Sequence, residues 1–334
     1  MKVHVLSNRN NGLGIAMRIR STEHDVKMAG DPATGLVPVG DFSDNPDLVI
    51  NLTDEPIRRS KPARSIGTTL WTKAVDSEED YARKVVEMVG WPIKPLSQGV
   101  NLYITVWFNG SSTILSYATI LYRRLMAGGL GPDIGIAGSV SMFENLTDKA
   151  QETIVKPLEN ILKRVSHQGV FHVHTFVNAS SFSIRGVSAQ LYTPMTLAAL
   201  ENNNLAVANA LLKMTDVASR PIRPLEPAAA TLYLSAPPYP YSIYLDETTE
   251  IKGINAGSLK HLWFEDVLFN KTYRLGQTGR MGHVTARGST VQEAVRRIYK
   301  NATNISTENL QYRNDVGRNI NTLIESLRTS GWIY

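Results

Sequence analysis

Short apolar runs separated by glycine-bearing turns open the chain. Residues 2–6 (KVHVL) read as a strand, the polar string SNRNNGLG as a turn, and residues 15–20 as a helix. Residues 25–28 and the apolar run in DLVINL (47–52) read as further strands. Near-continuous apolar runs fit a parallel sheet covered on both faces. In DSEEDYARKVVEMVG, Asp76 and Ser77 are suited to cap a helix whose first turn carries acids. Tyr81, Val85 and Val89 then recur at helical spacing.

At residue 101 the period changes from helical to two. Leu102, Ile104, Val106 and Phe108 alternate with Asn101, Tyr103, Thr105 and Trp107. Asn109-Gly110 supplies a tight hairpin turn before a return strand over 113–121. MAGGLGPDIGIAGSV (126–140) holds five glycines and reads as a long loop. A helix follows over 148–165, and then a second hairpin, VFHVHTFV and FSIRGV around the turn NASS. Beyond Pro221 and Pro224 come short strands at TLYLSA and GRMGHVTARG. A helix from Thr290 follows, striped by Val291, Ala294, Val295 and Ile298. The pattern predicts an α/β protein in three units: a parallel α/β unit (1–95), a central antiparallel sheet with helices (96–220) and a small β/α unit (221–334).

Composition narrows the setting. The 334-residue chain is 43% hydrophobic, enough for a core shared by packed units. It contains no cysteine, which excludes disulfides, thiolate metal sites and cysteine nucleophiles and fits a reducing compartment. The N-terminus has no long apolar stretch before a small-residue cleavage site, and no run approaches the ~20 apolar residues that span a bilayer. A cytoplasmic protein without a membrane partner is expected. A net charge of +5 and a pI near 9.2 favour an anionic partner such as a nucleotide, a phosphosugar or nucleic acid. At 19% charged residues the surface is no broad basic shield. The basic clusters are short: Arg58, Arg59, Lys61 and Arg64; Arg123 and Arg124; Arg296, Arg297 and Lys300. Each is equally a solvated helix face or loop edge.

Four stretches, in order, give the chain a family resemblance. MKVHVLSNRNNGLGIAM matches an opening strand and glycine turn, and WFNGSSTI with GLGPDIGIAGSV matches a central hairpin and substrate loop. GVFHVHTFVNASSFSIRGVSAQLYTP falls at a last catalytic hairpin, and GRMGHVTARGSTVQEAVRRIYKNATNIS with YRNDVG matches a C-terminal domain. Together they resemble glycinamide ribonucleotide synthetase (phosphoribosylamine–glycine ligase), of the ATP-grasp superfamily. The resemblance implies that fold, and ATP and magnesium as cofactors. Two departures stand against the cofactors. The family's nucleotide-gripping lid belongs between the helix ending near Gly90 and the strand at Asn101, where only WPIKPLSQGV stands. The positions of its metal-binding carboxylate and asparagine hold Gly186 and Ser188, and that of its nearby arginine holds Gln190.

The loss can also be read without alignment. Magnesium held with a triphosphate needs one or two carboxylates, yet no Asp or Glu lies between Glu87 and Asp133 or between Glu159 and Glu201. No cofactor is expected, and ATP and magnesium binding are read as lost.

The glycine run can cradle an anion or admit a ligand closely, with Gly131, Pro132, Gly135 and Ser139 lining it and Asp133 taking an amine or a hydroxyl. Equally, its glycines can serve tight turns. Asn8, Arg9, Asn11 and Gly12 can cradle a phosphate at the following helix, or form a plain strand-to-helix turn. His172 and His174 share one strand face; with His167 nearby they suggest a metal site or, more simply, polar pocket walls. Arg123, Arg124, Arg280 and Arg313 are candidate phosphate ligands, and PPYPYSIYL can stack bases or pack as a rigid loop. Asp133, His172 and His174 are candidate general bases.

Three functions follow. The first joins glycine or another amine to a phosphorylated, pre-activated acceptor (a nucleotide, a phosphoribosyl group or a modified DNA base). The second is a non-catalytic binding protein or inactive subunit, as a homodimer or beside an active paralogue. The third is an ATP-dependent synthetase with a rebuilt nucleotide site.

Overall fold

A computed structural model describes residues 1–7, 11–29, 34–40, 46–53, 64–67, 78–93, 96–241, 243 and 248–334. The capping pair Asp76 and Ser77, and Arg58, Arg59 and Lys61, lie outside them. The N-terminal part is a parallel sheet of β1 (Lys2–Leu6), β2 (Asp25–Ala29), β3 (Leu48–Asn51) and β4 (Arg64–Gly67) in the order β2-β1-β3-β4. Helix α1 (Leu13–Arg20) follows β1, and α2 (Glu78–Val89) precedes the central sheet. The strand at 64–67 has too short an apolar run to be read from sequence.

Eight antiparallel strands form the body: β5 (Val100–Asn109), β6 (Thr113–Met126), β7 (Leu130–Phe143), β8 (Gln168–Val177), β9 (Phe182–Ser188), β10 (Ala228–Ser235), β12 (Leu262–Phe264) and β15 (Arg280–Gly288). Their order is β12-β15-β10-β7-β6-β5-β8-β9. The sheet thus runs unbroken across residue 220, joining the central and C-terminal units through hydrogen bonds between β7 and β10. Strand β11 (Thr249–Glu250), β13 (Val267–Asn270) and β14 (Thr272–Leu275) make a small side sheet that the sequence pattern missed. The remaining helices are α3 (Asp148–Ala150), continuing through a π-helical turn into α4 (Lys156–Arg164); α5 (Pro194–Glu201); α6 (Val207–Lys213); α7 (Ala256–Leu259); α8 (Val291–Thr303); and α9 (Ile320–Thr329).

The expected glycine loop is a correction. Only Ala127–Gly129 turns; β6 continues five residues past the expected 121, and β7 begins at Leu130. Left-handed φ values of 70° and 71° at Gly128 and Gly129 make the tight turn. Cross-strand pairing of Arg124 with Asp133 and of Met126 with Leu130 carries the hairpin to its tip, through two register shifts. Pairing, a non-local term, overrides the loop propensity of the glycines.

Both faces of the sheet are buried, with different chemistry. One carries Ile104, Val106, Ala118, Val140 and Leu232. The other carries hydroxyls that satisfy each other: Thr119 with Ser141 at 2.9 Å, and Ser139 with Thr231 at 2.8 Å. Helix α5 lies on this polar face, where the Tyr117 hydroxyl donates to the Met195 carbonyl at 2.9 Å. Thr193 caps α5, accepting from the Thr196 amide.

Helix α1 docks against β12 through Gly14, where an added Cβ would lie 2.7 Å from the Trp263 Cα. Arg18, one turn on, lies over the Trp263 ring at 4.5 Å and pairs with Glu201 at 3.4 Å. Gly14→Ala should therefore lower stability by about 1–3 kcal/mol, because backbone is what it meets. Gly186→Ala, with nothing within 4 Å of the added methyl, should leave the urea midpoint unchanged or higher; equal midpoints for the two variants would show that the α1 contact is not tight.

Candidate functional site

The polar sheet face ends, across β6, β5, β8 and β9, in a cluster of aromatic and basic groups. Tyr103 on β5 stacks on His174 of β8, with centroids 4.1 Å apart and planes 10° from parallel. The pair is directly opposed in register, so both rings stand on one face. His174 Nε2 meets Asn101 Oδ1 at 2.9 Å. The Arg123 guanidinium donates to Asp133 Oδ2 at 3.0 Å and to the Tyr103 hydroxyl at 3.4 Å. A bulge between β8 and β9 at Thr175 turns Arg185 over the Phe176 ring, 4.9 Å from its centroid. Burial and the charges of Arg123 and Arg185 push His174 down to about 4, so it is neutral at pH 7.

The sheets, the helix-covered polar face and this cluster can be set beside known proteins. No family model matches the chain. Phosphoribosylamine–glycine ligase of Thermotoga maritima is 26% identical over 214 residues, 62% of this chain and 52% of that enzyme. The match thus spans about half the length of that relative. Its crystal structure superposes with a TM-score of 0.74 at 16% identity, covering 94% of this chain and all of the other. The chain has a phosphoribosylamine–glycine ligase-like, ATP-grasp fold. Two further structures share it more distantly. N5-carboxyaminoimidazole ribonucleotide synthetase of T. maritima has a TM-score of 0.52 at 9% identity, covering 92% of this chain and 99% of its own. Glycinamide-RNase-transformylase T of Mycobacterium tuberculosis has a TM-score of 0.53 at 12% identity, covering 92% and 100%.

Within this ATP-grasp-like frame, the β9 positions that the resemblance assigns to metal ligands are occupied by Gly186 and Ser188, and the side chain beside them is Arg185. Glycine and a guanidinium offer magnesium no side-chain oxygen, and the lone Ser188 hydroxyl brings no carboxylate charge. Among the described residues no group of three or more His, Cys, Asp or Glu can hold a metal ion. The three histidines do not converge. His167 bonds the Tyr81 hydroxyl at 2.8 Å. His172 meets Thr105 Oγ1 at 2.9 Å through Nδ1, and the Gln190 carbonyl at 3.1 Å and Thr193 Oγ1 at 3.2 Å through Nε2. With both nitrogens engaged and burial holding it near 4, His172 braces β8 against the start of α5 and is poorly placed as a base.

Asp133 also differs from its expected role. Partial burial opposes ionisation, but the Gly135 amide at 2.8 Å and the Arg123 guanidinium hold its carboxyl below the ordinary range. It anchors Arg123 and the hairpin end, a task for a permanent anion rather than a proton acceptor. Arg124 grips the Gly131 carbonyl at 2.8 Å, next to Pro132 on the exposed hairpin arm. Ser139 is fully buried in the hydroxyl ladder, its hydroxyl paired with that of Thr231.

Arg313 is likewise a strut. It pairs with Asp315 through Nε and Nη2 at 2.7 and 2.9 Å, reaches the Arg124 carbonyl at 2.9 Å and lies 4.9 Å from the Tyr122 ring. Asp315 in turn accepts from the Gly128 amide at 2.8 Å, fastening the hairpin tip. The Gln190 side chain is exposed. Asn8 and Arg9 lie outside the described residues; Asn11 accepts from the Ser7 hydroxyl at 2.6 Å. Gly12 is required by packing, since a Cβ would lie 2.8 Å from Val5 Cγ1. Of the sequence candidates, the fold brings together Arg123, Asp133 and His174, and adds Tyr103, Asn101 and Arg185. In the sequence Tyr103 shows only as the polar phase of an alternating strand, and Arg185 only as a single charge in a hairpin.

Burial lowers His167, His172 and His174 to about 4 and His283 to about 3, against about 6.5 in an unfolded chain. Between those values the unfolded chain binds more protons than the folded one. Stability should therefore be fully present above about pH 7 and fall as pH drops toward 4, by up to about 1.4 kcal/mol per pH unit for each histidine. Urea unfolding at pH 7.5, 6 and 5 measures this, and a profile flat from 7.5 to 5 would contradict the burial of these rings.

Proposed function

We propose that the chain is an enzyme of ligase or transferase type that joins an amino acid, such as glycine, or another amine to a phosphorylated and already activated acceptor, with no ATP site of its own. The observation that carries this reading is the charge gathered around His174 of β8, from Arg185 on β9 and Arg123 on β6. Where a phosphoribosylamine–glycine ligase-like fold is expected to carry magnesium ligands, Arg185 and Arg123 flank neutral His174. Cations there suit a phosphate that departs without metal. The acceptor classes that fit are a nucleotide, a phosphoribosyl group or a phosphorylated base in DNA.

In the reaction the amine lone pair attacks the acceptor carbon, the new C–N bond forms, and the C–O bond to phosphate breaks with its electron pair leaving on phosphate. Arg123 and Arg185 neutralise that charge, and the proton lost from the amine passes by way of His174 to solvent. Positioning and charge stabilisation supply the rate, since the acceptor brings its own activation. A second reading, a binding protein or inactive subunit alone or with a paralogue, is favoured by the engagement of Asp133 and His172 in structural bonds.

Magnesium-ATP should leave the melting temperature unchanged, and transfer of labelled glycine to a phosphorylated nucleoside or to phosphorylated modified DNA should proceed without ATP. Arg185→Gln should weaken acceptor binding about 10- to 100-fold, the scale of one charge-assisted hydrogen bond. A clear upward melting shift with magnesium-ATP would sink the reading, and binding of the acceptor with no transfer to any amine would favour the second.

A further inference from the structure

Arg280, a basic candidate of the sequence, is taken up by the fold, its Nη2 2.7 Å from buried Glu265. Two carboxylates elsewhere are not. Glu144, just past β7, and Glu159 on α4 line a cavity of about 540 Å³ at the start of β6, a volume within the range of small-molecule sites. The Glu144 carboxylate has no hydrogen bond or ion pair among the described residues. Glu159 accepts the Thr113 amide at 3.1 Å through Oε2 and has no other partner among them. Lys156, which also lines the cavity, is paired with Glu152 instead.

The walls are fixed in place. The Ile222 amide donates to the Ile114 carbonyl at 2.8 Å, which holds the connection between Pro221 and Pro224 against β6. On the opposite wall α3 passes into α4 through the π-helical turn Gln151–Val155, a rare geometry that recurs at functional positions. Gln151 Nε2 reaches Ser116 Oγ at 3.4 Å and ties that turn to β6. Glu144 holds a left-handed φ of 55°, which few residues with a β-carbon adopt and which concentrates at ligand sites. The hydroxyl of Thr113, the residue that bonds Glu159, is buried without a partner, and such atoms are rare.

We propose that this cavity binds a small organic cation, an alkyl mono- or diammonium, with one nitrogen on Glu159 and, in a diammonium, the second on Glu144. Two carboxylates on one cavity without a counterion repel each other, and apolar walls strengthen the repulsion by lowering the local dielectric. A cation between them removes it. An ammonium brings three N–H donors, and the Glu159 carboxylate and the Thr113 hydroxyl accept two of them. Ile114 and Ile222 give the alkyl stem an apolar wall. A bare metal ion suits the cavity less, since hard cations take about six oxygens, and an anion would meet two like charges.

The cavity is separate from the Tyr103–His174 cluster. Thr113 opens β6, and Arg123 lies about 30 Å further along that strand at the rise of extended chain. Glu144 follows the last residue of β7, whereas Asp133 stands near its first. Occupancy of the cavity therefore needs neither the acceptor nor the transfer.

Calorimetry of the whole chain with butylammonium chloride, putrescine, butanol and sodium butyrate tests it. Saturable binding of butylammonium or putrescine is expected, weakening as sodium chloride is added, with butanol and butyrate weaker by roughly 10-fold or more. Glu159→Gln, which keeps an oxygen for the Thr113 amide, should weaken both amines roughly 10-fold, the scale of one charge-assisted hydrogen bond. Glu144→Gln should cost putrescine more than butylammonium. Thr113→Val, which removes only an unpartnered hydroxyl, should melt no lower than wild type yet bind several-fold more weakly. No saturable binding of either amine, butanol or butyrate binding as tightly as the amines, or unchanged affinity in Glu159→Gln and Thr113→Val would overturn the site.

Discussion

The structure depends on burying a polar sheet face without leaving its hydroxyls unpaired. Thr119 with Ser141, Ser139 with Thr231, and Thr105 with His172 each close a bond between neighbouring strands. Trp263 donates to Thr285, whose hydroxyl reaches Glu201 at the end of α5. A one-residue slip would send every one of these groups to the apolar side. Unmade, each such bond would cost about 1–3 kcal/mol. The ladder therefore fixes the register of the sheet, and α5 can settle on it only because hydroxyls and backbone carbonyls meet there.

That constraint explains where chemistry can sit. At one end of the polar face are Tyr103, His174, Arg123 and Arg185; at the other are Glu265, Arg280, His283 and Tyr192. The first holds Arg185 and the Arg123–Asp133 pair beside a neutral ring, and the second a buried Glu265–Arg280 pair.

Much else is held by single fastenings. Arg313 and Asp315 tie the C-terminal segment to the glycine turn at Gly128, and the Gly14 contact ties the N-terminal sheet to β12. These arginines and glycines look like ligand-binding features in the linear chain. In the fold the Arg313 donors go to the Asp315 carboxylate and the Arg124 carbonyl, and the Gly14 space is taken by the backbone of β12.

The alternation from Leu102 to Phe108, the Asn109-Gly110 turn and the Thr290 cap are local rules, and the sequence determined those elements because each depends on neighbours a few residues away. The family resemblance and the absence of acids from the central hairpins were legible for the same reason: both are strings. The glycine stretch was misread because strand pairing across the Gly128 turn is non-local, and the side sheet of β11, β13 and β14 because its strands are too short to show a period. Only the tertiary structure could decide which charges are free. Asp133, His172 and Arg313 are engaged by residues up to 189 positions away, whereas Arg185 and Tyr103 come together with His174 through a bulge and a register that no single segment encodes.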